Sequence, residues 1–351
     1  MSSAVADIST SKGLRVYPLR LGSTKIPFGQ FYGGLVGWRG WQALFRYATD
    51  KKHYMVVPIH GYLIEHPRDG LIMVDAGISW RQTYDHGAYY KGIQHYLFDD
   101  DEYQLDRSEE LPAALERLGH RAEEISRIVI THLHEDHIGG LSYLPETEVV
   151  LSRSEWDNRG WKLFGFVPMV YRGSLPPSDR VVPVDFTSGP FENFAASLDL
   201  TSDAAVKLLP TPGHSPGHLS VLVQLDGYQL LITGDCLYTL RHLANDDVQA
   251  FGATQMVPEQ NATIKRIVEL KRRMPDLVLV PGHDHTAYQS EHLVPGLTKG
   301  YLTAAERDAI HDFESTVFTP EGGLRPEAWP RYRPGGPPGY VGQVSPAPPD
   351  L

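Results

Sequence analysis

Residues 131–140 read THLHEDHIGG, which places four candidate metal ligands within six positions: His132, His134, Asp136 and His137. Imidazole and carboxylate groups are ligands that zinc and other first-row divalent ions prefer. The stretch follows an apolar run that predicts a strand, and two glycines end it. A polar loop often holds one or two histidines, whereas four such groups at the end of a strand favour a metal site.

The spacing within this motif divides its ligands between two ions. In an extended or loop conformation, His132 and His134 project to the same side and can chelate one ion. Asp136 and His137 come after the turn, so they can bind a second ion. The motif alone therefore has enough ligands to contribute to two metal positions.

Three further stretches place a candidate ligand directly after an apolar run. PTPGHSPGH holds His214 in a turn that Pro and Gly make rigid, and ITGD places Asp235 at the end of a buried strand. A carboxylate in such a position normally needs a partner or a metal. LVPGH places His283 beyond a short apolar strand. One such residue would be typical of a turn, but ligand groups at four strand ends are hard to attribute to turns.

The ordered motifs His-x-His-x-Asp-His, Gly-His, Gly-Asp and Gly-His resemble those of the metallo-β-lactamase superfamily, over roughly residues 14–288. The resemblance implies an α/β (α+β) fold, an αββα sandwich of two mixed β-sheets flanked by helices, with the metals in a cleft at one edge. It also implies two divalent metal ions. Zn²⁺ is favoured, and cobalt, manganese or iron also suit nitrogen and oxygen ligands.

The resemblance assigns each ligand by position. The first metal would be held by three histidines: His132, His134 and His214. The second would be held by Asp136, His137 and His283. Asp235 would bridge the two metals, and Asp75 in the stretch VDAG matches an aspartate that is structural and not a ligand.

Tyr238, three residues past Asp235, bears on the choice of subfamily. It resembles a tyrosine of the N-acyl homoserine lactonases that lies beside the metals and hydrogen-bonds the lactone group. The resemblance implies a quorum-quenching lactonase that opens the ring by attack of a metal-bridging hydroxide. Asp136 would bind a metal and also carry the proton to the leaving alkoxide. The other interpretation of Tyr238 is a half-buried core residue.

Other reactions on the same scaffold stay open. A thioesterase similar to glyoxalase II keeps the same seven ligands, and a phosphotriesterase or aryl esterase is a further alternative. A persulfide dioxygenase belongs to a different class of enzyme, the oxidoreductases. It would bind one iron and leave the second metal position vacant. Metal counting separates the dioxygenase from the hydrolases.

Composition restricts the partners and the compartment. Lys and Arg total 32 against 43 for Asp and Glu, and the net charge of −11 argues against nucleic-acid binding. No segment approaches the roughly 20 apolar residues of a membrane span. The single cysteine and the lack of a signal-like apolar stretch near the N-terminus favour a cytoplasmic protein. The expected partner is a small-molecule substrate with an apolar acyl chain, and a homodimer is one option for the assembly.

The hydrophobic pattern predicts the secondary structure. Strands are expected over 15–19, 55–65, 71–75, 127–131, 149–152, 206–210, 219–225 and 229–233. Helical periodicity predicts helices over 109–118 and 261–274, and a capping-box pattern predicts another over 303–314. Asp226 and Gly227 predict a tight hairpin.

Composition also divides the chain into three parts. Residues 1–13 are expected to form a flexible N-terminus and residues 14–318 the catalytic domain. Residues 319–351 are dense in Pro and Gly and are expected to form an extended C-terminal tail. Within the catalytic domain, residues 27–52 form an aromatic insertion with seven large rings. This insertion is either a packed extension of the core or a flap over an apolar substrate pocket.

Overall fold

The computed structural model describes residues 13–27, 54–92, 95, 103–160, 162–163, 167–168, 170–225, 228–238, 257–274 and 277–283. The predicted helix over 303–314, the C-terminal tail and nearly all of the aromatic insertion lie outside the described residues.

The strands are β1 (Arg15–Pro27), β2 (Tyr54–His66), β3 (Gly70–Val74), β4 (Tyr103–Gln104), β5 (Ile125–Val129), β6 (Glu148–Ser152), β7 (Lys162–Leu163), β8 (Val167–Pro168), β9 (Val181–Val184), β10 (Gly189–Phe191), β11 (Phe194–Asp199), β12 (Val206–Pro210), β13 (Leu219–Leu225), β14 (Tyr228–Gly234) and β15 (Leu277–Pro281). The α-helices are α1 (Trp80–Tyr84), α2 (His86–Tyr89), α3 (Leu111–Arg117), α4 (Glu135–Ile138), α5 (Arg153–Asp157) and α6 (Val257–Arg273). Short 3-10 helices cover Arg107–Glu109, Ala122–Glu124, Gly139–Tyr143, Arg172–Ser174 and Ser178–Arg180.

The described strands form two large mixed sheets and one small hairpin. The first sheet has the order β4-β1-β2-β3-β5-β6-β9, antiparallel as far as β3 and parallel from β3 to β9. The second has the order β10-β11-β12-β13-β14-β15, in which only the β14–β15 pair is parallel. Strands β7 and β8 pair with each other.

The alternation of apolar side chains along the strands builds the layers. In β14, Leu230 and Ile232 face the core between the two sheets, whereas Leu231 faces outward and packs with α6. The outer face of the second sheet is covered by apolar side chains of α6: Ile264, Ile267 and Leu270. The outer face of the first sheet is covered by α3 in the same way. The result is the predicted αββα sandwich.

Within the described residues, the predicted strands and helices agree with the structure apart from their ends. Residues 225 and 228 pair directly, which confirms the two-residue hairpin between β13 and β14. The predicted strand over 71–75 ends one residue too late, because Asp75 adopts a left-handed φ of 54° that ends β3. The predicted strand over 127–131 ends at Val129, from which the chain turns toward the ligand motif. Among the described residues, no helix combines the length and hydrophobicity needed to cross a membrane.

Candidate metal centre

The ends of the strands bring the candidate ligands together. Strands β12 and β14 run in the same direction because both are antiparallel to β13, and β15 is parallel to β14. The carboxyl ends of these three strands therefore lie at one edge of the second sheet. The backbone N–H of Leu219 donates to the carbonyl of Thr131 at 3.0 Å and joins that edge to the segment after β5.

The first ligand group contains three histidines whose ring nitrogens converge. His132 Nε2 lies 3.0 Å from His134 Nδ1, and His214 Nε2 lies 3.1 Å and 2.9 Å from these two atoms. Hydrogen bonds alone cannot satisfy all three contacts of this triangle, because each ring nitrogen is either a donor or an acceptor. Among three nitrogens, at least two must therefore be of the same kind and repel each other. A tetrahedral zinc ion with bonds of about 2.0–2.1 Å would separate its nitrogens by about 3.3–3.4 Å. The triangle therefore suits a cation that is shared by all three rings.

The second ligand group contains two carboxylates and two histidines. His283 Nε2 lies 3.3 Å from Asp235 Oδ2 and 3.4 Å from Asp136 Oδ2. His137 Nε2 lies 3.3 Å from Asp235 Oδ1. His137 Nε2 and Asp235 Oδ1 are both buried, and neither atom makes a hydrogen bond in the described structure. Unsatisfied buried atoms that face each other across this distance are consistent with a position for a second cation.

Asp235 belongs to both groups. Its Oδ2 atom also lies 3.4 Å from His214 Nε2 and 3.8 Å from His132 Nε2. In each group the potential ligand atoms lie within 4.8 Å of one another. The structure thus brings together all seven predicted ligands and places the carboxylate of Asp235 in both groups. The bridging role of Asp235 stays a prediction.

The electrostatics of the two groups differ. Burial holds the pKa values of His132 and His214 well below the ordinary value, so that their rings are neutral and offer lone pairs. In the second group burial also opposes protonation, but the carboxylates outweigh it. They raise the pKa of His137 well above its usual range and that of His283 to about 10. In the second group, protons on the two histidines thus balance the two carboxylates. A divalent cation bound there would supply that positive charge in place of the protons.

Hydrogen bonds at the far side of the rings orient the histidines of the second group. Asp75 lies 2.8 Å from His137 Nδ1 and also accepts bonds from the backbone and hydroxyl of Thr131, each at 2.8 Å. The carbonyl of Pro58 lies 2.9 Å from His283 Nδ1. Both acceptors require a proton on Nδ1, which leaves Nε2 free to bind a metal. Asp75 lies outside both ligand groups, in agreement with its predicted structural role.

A directed chain of hydrogen bonds fixes the backbone of Asp235. His218 is buried, which lowers the pKa of its ring to about 3, and Nε2 accepts the backbone N–H of Asp235 at 3.0 Å. Its proton is therefore on Nδ1, which donates to Thr211 at 2.9 Å. The Thr211 hydroxyl in turn donates to Ser220 at 2.8 Å, and the Ser220 hydroxyl donates to the carbonyl of Thr233 at 3.0 Å. His218 is thus a structural residue, as its exclusion from the ligand set implies.

The glycine before His283 is required by close packing. A Cβ atom at Gly282 would lie 2.3 Å from Asp235 Oδ1. The backbone N–H of Gly282 donates to the carbonyl of Leu237 at 3.0 Å, so this contact cannot relax without moving the loop. The Gly-His motif thus lets the end of β15 approach the shared carboxylate.

Tyr238 lies between the two ligand groups. Its ring centroid is 5.5 Å from that of His214 and 5.4 Å from that of His283, at an interplanar angle of 70° in both cases. The residue is 4% exposed, and its carbonyl accepts the backbone N–H of His283 at 3.2 Å. Tyr238 is buried, and its ring packs against one histidine of each ligand group.

The fold and this ligand arrangement are those of a known family. The profile of the Metallo-beta-lactamase superfamily matches residues 54–283, which is more than half of the chain. The chain therefore belongs to the metallo-β-lactamase superfamily. The match begins at the first residue of β2 and ends at His283, the last of the seven candidate ligands.

Curated relatives include hydrolases of two kinds. "Probable metallo-hydrolase Rv2300c" of Mycobacterium tuberculosis is 30% identical over 244 residues, covering 66% of this chain and 76% of that protein. N-acyl homoserine lactonase AttM of Rhizobium radiobacter is 26% identical over 246 residues, covering 68% of this chain and 86% of the lactonase. The chain is thus related to metal-dependent hydrolases, with lactonases among its distant relatives.

Solved structures share the fold. An N-acyl homoserine lactone hydrolase with N-hexanoyl-L-homoserine at its catalytic metal centre aligns with a TM-score of 0.59 and 20% identity. The alignment covers 78% of this chain and 95% of that structure. AidC, described as a dizinc quorum-quenching lactonase, aligns with a TM-score of 0.53 and 16% identity over 77% of this chain and 89% of its own. At these identities the likeness concerns the fold alone.

Proposed function

We propose that this protein is a hydrolase with two metal ions that opens the ring of N-acyl homoserine lactones. The observation that carries the proposal is the position of Tyr238, whose ring packs against one histidine of each ligand group. In this proposal the hydroxyl on this ring would face a substrate that is bound over both groups. The relationship to lactonases at 26% identity supports the same choice.

The seven residues fit the role of metal ligands. His132, His134 and His214 would hold the first ion, whereas Asp136, His137 and His283 would hold the second, with Asp235 shared between them. When bound, the two cations would lower the pKa of a water toward neutrality and polarise the substrate carbonyl. Zinc suits this donor set of nitrogens and carboxylate oxygens.

The side chains around the ions supply the remaining chemistry. In the proposed reaction, the oxygen of one water forms a bond to the lactone carbonyl carbon, the ring C–O bond breaks, and the alkoxide formed takes up a proton. We assign the proton transfer to Asp136, whose side chain is 12% exposed against 3% for Asp235. Tyr238 would donate a hydrogen bond to the substrate oxygen that gains negative charge.

A substrate panel tests this assignment. On the full chain reconstituted with Zn²⁺, we expect kcat/KM for N-acyl homoserine lactones to exceed that for thioesters and phosphotriesters by at least about tenfold, or about 1.4 kcal/mol of transition-state stabilisation. We also expect longer acyl chains to lower KM, because a longer chain buries more apolar surface when the substrate binds. Faster cleavage of thioesters would refute the lactonase proposal in favour of a thioesterase. Oxygen consumption with a persulfide and a single iron would refute a hydrolase altogether.

A further inference from the structure

Glu155 is not a member of the first ligand group, but it hydrogen-bonds to the loops that carry that group. It was not singled out in the sequence analysis. It belongs to α5, which directly follows β6, and it is 3% exposed. The hydroxyl of Ser152 accepts the backbone N–H of Glu155 at 3.1 Å and donates to the carbonyl of Gly217 at 2.6 Å. The start of α5 is thereby attached to the turn that carries His214.

The carboxylate of Glu155 accepts three hydrogen bonds from two separate loops. Its Oε1 atom accepts the backbone N–H of Leu133 at 3.0 Å. Its Oε2 atom accepts the Ser215 hydroxyl at 2.7 Å and the backbone N–H of Gly217 at 2.8 Å. Burial raises the pKa of this carboxyl, while the three donors act in the opposite direction and stabilise its charged form.

Two of these three donors lie beside a ligand of the first group, and the third lies in the same turn as His214. Leu133 stands between His132 and His134, and Ser215 follows His214 in the chain. Gly217 packs so closely on α5 that a Cβ atom there would lie 2.0 Å from the backbone nitrogen of Glu155. One buried side chain therefore joins the two loops that carry the three histidines.

We propose that Glu155 is a positioning residue that holds the three histidines of the first group at the mutual distances needed to share one ion. The inference rests on the proposed function, since it takes these histidines to be metal ligands. The second group is oriented by other atoms, the carboxylate of Asp75 and the carbonyl of Pro58. Loss of Glu155 should therefore weaken one metal position and spare the other.

Glutamine at position 155 would conserve size but not the hydrogen bonds. An amide has one acceptor oxygen, and its NH2 group can only donate. If the oxygen faces Ser215 and Gly217, the NH2 group opposes the N–H of Leu133, and the loop with His132 and His134 is released. If the amide is turned over, the N–H of Gly217 loses its acceptor and the His214 turn is released instead.

The test uses the full chain reconstituted with Zn²⁺ and titrated with a competing chelator. Partners that orient metal ligands typically contribute about 10–100-fold in affinity. We expect Glu155→Gln to weaken one of the two bound equivalents by this factor and to leave the other unchanged. With Co²⁺ as probe, the visible absorption of the weakened position should change in intensity, since this absorption reports ligand geometry.

Two serines provide a second variant and a control. Ser215→Ala keeps Glu155 but removes one donor, and we expect a smaller loss at the same metal position, near the lower end of about 10–100-fold. Ser154→Ala removes a hydroxyl of the same helix that bonds to Pro216 at 3.3 Å and not to Glu155, so metal affinity should be unchanged. If Glu155→Gln does not fold, the comparison of the two serine variants decides.

Three outcomes are distinct. If Glu155→Gln and Ser215→Ala bound both equivalents of Zn²⁺ with the same affinities as the wild-type chain, the positioning role would be overturned. An equal loss at both positions would also overturn it, because it would indicate general loosening of the fold. A wild-type chain that binds no Zn²⁺ would instead refute the proposed function on which the inference rests.

Discussion

Asp235→Ala is expected to release at least one of the two metal ions and to lower lactone hydrolysis by more than about 100-fold. Residues that merely orient a ligand contribute about 10–100-fold, and the ligand shared by both ions should contribute more. Without this carboxylate, two cations would lie close together with little negative charge between them. His137 and His283 would each lose a partner 3.3 Å away.

The same substitution should lower thermal stability in the presence of zinc. An ion whose free concentration is about 1,000 times its Kd stabilises the folded state by about 4 kcal/mol. This contribution is lost when the ion no longer binds. Elemental analysis and thermal unfolding with and without Zn²⁺ measure the two effects. If Asp235→Ala retained both metals and near-wild-type turnover, the bridging assignment would be wrong.

Asp203→Ala is a matched control for the loss of a buried carboxylate. The side chains of Asp203 and Asp235 are both 3% exposed. Asp203 precedes β12 and pairs with His66 at the opposite end of the sandwich, whereas His214 follows that strand. Asp203, His66 and Asp69 also lie close enough to share a cation, but the guanidinium of Arg68 already pairs with Asp203 at 2.5 Å. We expect Asp203→Ala to lower the unfolding temperature but to leave both ions of the ligand groups at Asp235 in place.

Tyr238→Phe is expected to lower kcat for lactones by about ten- to a hundredfold, with folding and metal content unchanged. Loss of one hydrogen bond to a developing oxyanion typically costs about 10²–10³ in kcat, and a neighbouring metal that shares the charge reduces that cost. The ring stays in place, so its packing against His214 and His283 is retained. The effect should be larger for lactones than for activated aryl esters, whose leaving groups need less stabilisation.

Tyr17→Phe controls for the loss of a phenol hydroxyl elsewhere in the fold. Tyr17 donates to Glu65 at 3.1 Å, near the end of β2 that is remote from the ligands. Its removal should leave kcat unchanged. If Tyr238→Phe also left kcat for lactones unchanged, the main reason to prefer a lactonase over a thioesterase would be lost.

The grouping of the seven residues could be predicted from the sequence because their motifs follow apolar strands, and three of them, His214, Asp235 and His283, come directly after a glycine. Such signals are local, as in the Gly-His motif at His283, where the glycine avoids a clash with Asp235. The sandwich could be predicted for a related reason. Alternation in strands such as β14 shows which residues face each layer.

The residues that orient the ligands could not be predicted in this way. Glu155 meets Ser215 across 60 positions of sequence, and His283 meets the carbonyl of Pro58 across 225. Such contacts depend on how distant segments pack, and nothing in the local pattern around Glu155 indicates them. Strands β9 and β11 were missed because they are only partly buried and lack a clear alternation of apolar residues. The role of the aromatic insertion at 27–52 stays a prediction.

Metal counting tests the central claim most directly. The metal-free full chain is reconstituted with excess Zn²⁺, freed of unbound ion, and analysed for zinc and protein. The account predicts two equivalents of zinc per chain, because the structure assembles two ligand groups around Asp235. About one equivalent, with a second position that no divalent ion fills, would contradict it.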